Sequence, residues 1–251
     1  MKNMTKKLLL FAFIFLLSKP FLAQDKEPVS SDTGTDKAKS EFIFGADIVS
    51  RYIWRGLDLG SDPAAQPYFF WNKGGFSLGS WGSYGFNAGF AEFDLMASYK
   101  IKFITFGLID FFFPIEGFNV NNKYFNYKSG ETTHSFEGSV KFSGPEKVPV
   151  NFLVGTVFYG NDLDATGKNV YSTYLELSYP FSVSNFSFET FIGGVVNDKP
   201  NLYADGAGVI NLGFKATKPI KISDEYVIGA FFSLVVNPKY ENVHLIFGLN
   251  F

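Results

Sequence analysis

From Phe42 onward the chain alternates its side chains with a period of two. Phe42, Phe44, Ala46, Ile48, Tyr52 and Trp54 fall on one face, and Gly45, Asp47, Val49, Arg51 and Arg55 on the other. A helix would also gather Asp47, Arg51 and Arg55 on one stripe, but it would scatter the aromatics. Strict alternation over this length therefore predicts a long strand. The same signature returns to the C-terminus and predicts twelve strands, near 42–55, 66–73, 76–86, 91–100, 103–113, 133–142, 150–160, 170–179, 186–196, 207–216, 226–236 and 243–251. Most are about ten residues long, the length a tilted strand needs to cross a hydrocarbon core, whereas strands of soluble proteins run nearer 5–6. The fifth is apolar on both faces apart from Thr105, Gly107 and Asp110, so its outward face stays unassigned.

The connections alternate in kind. Compact turns are expected at 73–75, 100–102, 143–149, 180–185 and 217–225, each after an even-numbered strand. The longer loops, 56–65, 114–132, 160–169 and 197–206, follow odd-numbered strands, and only 87–90 and 237–242 on that side are short. A membrane barrel shows this asymmetry, with short turns at the periplasmic side and long loops outside. The expected fold is thus all-β, a transmembrane antiparallel up-and-down β-barrel of about twelve strands over residues 42–251. The placement carries a test within it, because outward aromatics should collect at the two ends. Phe42, Tyr99, Tyr179, Tyr226 and Phe251 fall at the periplasmic end and Trp54, Tyr84, Phe86, Phe158 and Tyr171 at the outer end, with aliphatic residues such as Leu95, Val140, Ile192 and Leu212 between them. A soluble sandwich suits strands of this length and number less well.

The N-terminus reads differently. Lys2, Lys6 and Lys7 precede an apolar run of ten residues from Leu8 to Leu17, half of what a spanning helix requires, and Ala23 offers a processing site. Residues 1–24 are expected to be a cleaved signal peptide, residues 25–41 a flexible periplasmic leader, and the destination the outer membrane of a two-membraned, Gram-negative bacterium. Lys2, Lys6, Lys7 and Lys19 leave with the signal, so 18 bases remain against 24 acids, a balance that disfavours nucleic acid. The chain has no cysteine, which excludes disulfides, thiol nucleophiles and Cys-ligated metal sites.

Inward positions are rich in Gly and Ser, and the charges among them are Asp47, Glu92, Asp94, Glu137, Glu176 and Glu189 against Arg51, Arg55, Lys141 and Lys215. These ten are the expected pore-lining residues of a narrow Gly/Ser-lined lumen that passes small solutes or ions. A closed structural or surface-binding barrel acting through its outer loops is the alternative, and the same charges would then pair as a buried polar lining. Arg51 and Arg55 are expected to meet Glu92 and Asp94 across the lumen. Beyond solutes, the expected partners are outer-membrane lipids and the insertion machinery, through the C-terminal Phe251.

Enzymatic chemistry finds little purchase. A lipid-hydrolysing barrel needs Ser and His on one face, whereas His134 and Ser135 are consecutive and point to opposite sides. Residues 162–167 begin like a calcium loop, but Thr173 stands where a bidentate Glu is required. No metal site, catalytic residue or cofactor is expected.

One pattern carries a family likeness. Ser50-Arg51-Tyr52-Ile53-Trp54-Arg55-Gly56, followed by Trp81-Gly82-Ser83 and the acidic Glu92-Phe93-Asp94-Leu95, resembles the TorF-type family of outer-membrane porins. The resemblance rests chiefly on the Ser-x-Tyr-x-x-Arg-Gly pattern and implies a porin in the outer membrane.

Overall fold

The computed structural model describes residues 39–87, 89–114, 123–224 and 226–251. The expected signal peptide and nearly all of the leader lie outside the described residues. Among the described residues fourteen strands form: β1 (Ser40–Val49), β2 (Tyr52–Trp54), β3 (Leu57–Gly60), β4 (Ala64–Lys73), β5 (Phe76–Gly85), β6 (Ala91–Ile101), β7 (Ile104–Phe112), β8 (His134–Ser143), β9 (Asn151–Gly160), β10 (Thr173–Val183), β11 (Phe186–Val195), β12 (Gly208–Lys221), β13 (Val227–Asn237) and β14 (Asn242–Asn250). Twelve of them close into an antiparallel up-and-down barrel in which each strand pairs with its neighbours in sequence, β4 with β1, and β1 with β14. Closure leaves the twelve-stranded wall without an edge strand. The seam is short: Asp47 to Val49 pair with Asn250 to Gly248, extended by Phe251 N–H to the Ala46 carbonyl at 3.0 Å and Ser50 N–H to the Phe247 carbonyl at 2.8 Å.

The barrel's outer face is a continuous apolar belt. Of the ten aromatics expected there, every one except Trp54 is exposed, from Tyr179 at 36% to Phe42 at 63%. Leu95, Val140, Ile192 and Leu212 are exposed between the two ends. The ambiguous fifth strand resolves as β7, with Ile104, Phe106 and Leu108 outward and Ile109 and Phe111 inward.

Three sequence expectations change. The first strand does not reach residue 55: β1 ends at Val49, and residues 52–60 form a separate two-stranded hairpin, β2 paired with β3. The turns expected at 180–185 and 217–225 are shorter, because Pro180 and Pro219 lie inside β10 and β12. Both stand past the point where one neighbour ends: β9 leaves β10 at Ser178, and β11 leaves β12 at Thr217. A proline that lacks an N–H is tolerated where the strand has a single partner. Third, the small inward residues do not simply leave space for water. A side-chain carbon on Gly45 would meet the Tyr68 ring, on Gly79 that of Phe70, on Gly193 that of Tyr174, on Gly213 that of Phe191 and on Gly248 that of Phe231. The glycines are the floor on which lumenal rings lie flat, a device that lets a sheet carry large side chains in a narrow interior.

Candidate functional site

The site is built where the chain leaves the wall. Ser50 holds the departure point, its Oγ accepting from Phe247 N–H at 3.0 Å. Beyond it the chain turns into the lumen instead of continuing up the barrel. Trp54 pairs with Leu57, so the hairpin turns on two residues, Arg55 and Gly56, with φ of 50° and 79°. Positive φ at both positions is the signature of a type I′ turn, whose twist suits a hairpin. Gly56 is required twice over: its φ is left-handed, and a side-chain carbon there would strike the Ile210 carbonyl of β12. Asn237 Nδ2 donates to the Gly56 carbonyl at 3.1 Å and pins the tip to β13.

Arg55 is the hairpin's anchor. Its two guanidinium nitrogens meet both oxygens of Glu137 on β8 at 2.5 and 2.7 Å, a bidentate pair, and the Glu137 side chain is fully buried. Arg55 also donates to the Tyr203 hydroxyl, which in turn donates to Glu137 at 3.0 Å. Burial pushes the Tyr203 hydroxyl well above its ordinary value, so it stays protonated and can make that second donation although Arg55 pulls the other way. The guanidinium is packed among the rings of Tyr174, Trp54 and Tyr203, at 4.6, 4.9 and 5.4 Å. Tyr174 is held in turn by Glu176 and by Asn211 Nδ2.

Apolar contacts complete the closure. Trp54 sits between Phe111 and Tyr203, and Tyr52 between Trp81 and Phe90, with ring centroids 5.2–5.5 Å apart. Tyr174, Val195, Tyr203, Ala204 and Ile210 form one buried cluster with Trp54, Leu57 and Leu202 against it. Val49, Ala64, Val235 and Ile246 form a second, packed on Ile53. The hairpin and loop 196–207 therefore cork the long-loop end of the barrel.

Beside the hairpin lies a cavity of about 510 Å³ that extends to Asn151 and Ser178 near the short-turn end. Asp47, Arg51, Arg55, Asp94, Lys141, Glu176 and Lys215 border it. Of the remaining expected lining residues, Glu137 is consumed by Arg55, Glu92 is buried two residues before Asp94, and Glu189 stands across from Lys215 in the ladder. The expected meeting of Arg51 and Arg55 with Glu92 and Asp94 does not occur. Arg51 instead approaches Asp58 of its own hairpin at 3.3 Å and His244 Nδ1 at 3.4 Å. The wall strand ends at Val49 and the chain turns inward at Ser50, which swings both arginines toward β8 and β14.

Asp110 and His134 form a second polar cluster, on the outward face beside the long-loop rim. His134 Nδ1 lies 2.7 Å from Asp110 and Nε2 2.7 Å from the Tyr124 carbonyl. Ser135, on the opposite face, is buried in the lumen wall, as the alternation requires. Residues 123–132 of loop 114–132 fold over this pair, and the loop's first half after Pro114 lies outside the described residues. In loop 161–172 Asp162 accepts from Ser172 N–H and Oγ, and Asp164 from Thr166 and Lys168, so both carboxylates serve the loop's own donors.

Comparison with known protein families finds no family model that matches this chain, and comparison with curated proteins finds no match. What the geometry defines is a class: a closed twelve-stranded β-barrel with its first long loop folded inside.

Proposed function

We propose that the protein resides in the outer membrane of a two-membraned bacterium and works there as a narrow channel for small solutes, with the β2–β3 hairpin as its constriction. The observation that carries this reading is the hairpin itself, locked inside a closed barrel by Arg55 and Glu137 next to a partly polar cavity. A barrel whose role was only structural would gain nothing from a left-handed arginine and a buried ion pair, which is costly to desolvate. The apolar belt with aromatics at both ends supports a bilayer setting, and the signal-like N-terminus and the likeness to TorF-type porins agree with it. In this conformation the long-loop end is corked, so passage requires the hairpin to shift. The residues that hold it, Arg55, Glu137, Tyr203 and Asn237, set how often that happens.

A second reading is favoured by the aromatic cork: a closed barrel that acts through its outer loops. Planar-bilayer recording of the refolded protein separates the two. Discrete conductance steps are expected, larger or more frequent when residues 52–60 are replaced by a short Gly/Ser linker. Silence from both proteins, with the barrel still folded, would overturn the channel and leave the second reading.

A further inference from the structure

Asp94 projects into the cavity from β6, bracketed on the same face by two rings. Trp81 of β5 and Phe111 of β7 are its direct cross-strand partners, and all three border the cavity. Direct partners hold their β-carbons about 4.5–5.5 Å apart, so the carboxylate stands between two aromatic walls. Glu92 shares its face two residues away. Asp94 is 3% exposed and Glu92 4%; Asp94 Oδ1 has no hydrogen-bond partner among the described residues, and Glu92 faces Tyr52 of the hairpin and Asp94 itself.

Among the described residues no base answers them. Arg55 is committed to Glu137 and Arg51 to Asp58. Asp94 pairs with Phe111 and Phe111 with Ser135, so Lys141 lies six residues further down β8, about 20 Å away. Lys215 comes from the opposite wall, over the Phe231 ring at 4.2 Å and across from Glu189. Two neighbouring buried acids without a counter-charge either keep their protons or take up a cation from outside the chain, and a cationic ligand supplies the second solution. Among the described residues no group of three or more His, Asp or Glu could hold a metal ion. Rings facing an acid instead suit a weakly hydrated organic cation, which gains from their negative faces.

We propose that the cavity is a binding site for a small organic ammonium ion, its charged head on Asp94, which Glu92 backs, and its carbon body against the cavity-facing sides of Trp81 and Phe111, whose other contacts are Tyr52 and Trp54 of the hairpin. A volume near 510 Å³ falls in the range of small-molecule pockets, about 300–1,000 Å³. The inference deepens the channel reading by naming the class of solute, yet it depends on the cavity and not on conduction.

Titration calorimetry of the detergent-refolded barrel tests it, with n-butylammonium as the probe and n-butanol as its neutral counterpart. Saturable binding of one butylammonium, absent for butanol, is expected. Asp94→Asn should weaken it at least tenfold and Trp81→Leu about threefold, with folding checked by the boiled-versus-unboiled gel shift. Equal binding of alcohol and amine, no binding of either, or an Asp94→Asn barrel that binds as tightly as the parent would each overturn the site. Should Asp94→Asn fail to fold, Glu92→Gln and the amine-to-alcohol comparison in the parent protein still decide. A silent bilayer with intact calorimetric binding would remove the channel and keep the site; conduction without binding would do the reverse.

Discussion

Replacing Arg55 with alanine should release the hairpin while leaving the wall intact. The guanidinium makes two charge-assisted bonds to a carboxylate that has no solvent exposure, at 2.5 and 2.7 Å. Removing one partner of a buried pair costs about 3–5 kcal/mol, because the other charge stays behind unpaired. The Tyr203 hydroxyl still donates to Glu137 and recovers part of this, while the packing of the guanidinium against three rings is lost as well. A net loss near 3 kcal/mol shifts the hairpin's in–out equilibrium by roughly a hundredfold, at about 1.4 kcal/mol per decade. The loss falls on the hairpin because the wall strands keep their ladders, whereas β2 and β3 bond only to each other and to a few lumenal side chains. The absence of cysteine makes the assay clean: Leu57→Cys places one thiol in the cork, and its reaction rate with a maleimide reports the released fraction. About a hundredfold faster labelling is expected in the Arg55→Ala background. Arg55→Lys should be intermediate, since an ammonium cannot form the bidentate fork. Glu137→Gln should recover part of the Arg55→Ala effect, because a neutral amide is cheaper to leave buried. Labelling unchanged within twofold, in a barrel that still shows its gel shift, would refute the lock.

Gly193→Val should lower the unfolding midpoint by the roughly 1–3 kcal/mol of an overpacked core, because its side chain displaces the Tyr174 ring; Gly167→Ala, in open space but at φ 79°, should cost only about 1–2 kcal/mol, and urea titration compares them. His134→Ala should leave Asp110 unpaired beneath its covering loop, so trypsin should cut at the exposed Lys128 several-fold faster. Asp164 is held below the usual carboxylate range by Thr166 and Lys168, so its contribution to loop order is present above the ordinary Asp value and fades as pH falls through the lowered one. Amide shifts of Thr166 and Lys168 followed below about pH 4 should move together, and a transition centred above the ordinary value of about 3.9 would contradict this.

The wall was legible in the sequence because a period of two, set by the pleat, repeats with little ambiguity when one side faces a belt of apolar residues. Nine of the ten aromatics expected on the outer face at the two ends follow from alternation alone, and Trp54 does not. The hairpin was not legible, because Tyr52 and Trp54 continue the alternation of Phe42 to Ile48 in phase, and nothing in the period marks that their surroundings change from outer face to lumen. The one available signal was Arg55-Gly56 between two short apolar runs. A type I′ turn favours Asn or Asp before its Gly, so an arginine there reads poorly as a turn and well as a strand charge. Each residue of the Ser-x-Tyr-x-x-Arg-Gly pattern acquires a reason only once the hairpin is folded: Ser50 holds the exit from the wall, Tyr52 packs at a tilt on Trp81, Arg55 takes Glu137 and Gly56 makes the turn. Pairings such as Arg55 with Glu137, 82 residues apart, depend on register around half a barrel and have no local trace.

The outward Asp110–His134 pair follows the same physics from the other side of the wall. An ionisable pair facing an apolar belt is expensive unless it is covered and satisfied. The Tyr124 carbonyl can only accept, so Nε2 of His134 is the donor to it, and Nδ1 takes Asp110 as its partner, which leaves neither ring nitrogen unsatisfied. The cover is aromatic: Tyr124 packs on Phe112 and Phe93, and Tyr127 on His134 and Phe136, while the Tyr159 hydroxyl donates to the Tyr127 carbonyl at 2.7 Å and ties the loop to β9. Phe125 stands at the top of this cover, 88% exposed, where an interfacial ring would sit. The stretch from Lys123 to Thr133 is thus shaped by the defect it covers, which accounts for the second half of a loop far longer than a strand connection needs. It also binds the loop's return to the outer wall, leaving the lumen to the hairpin that Arg55 holds.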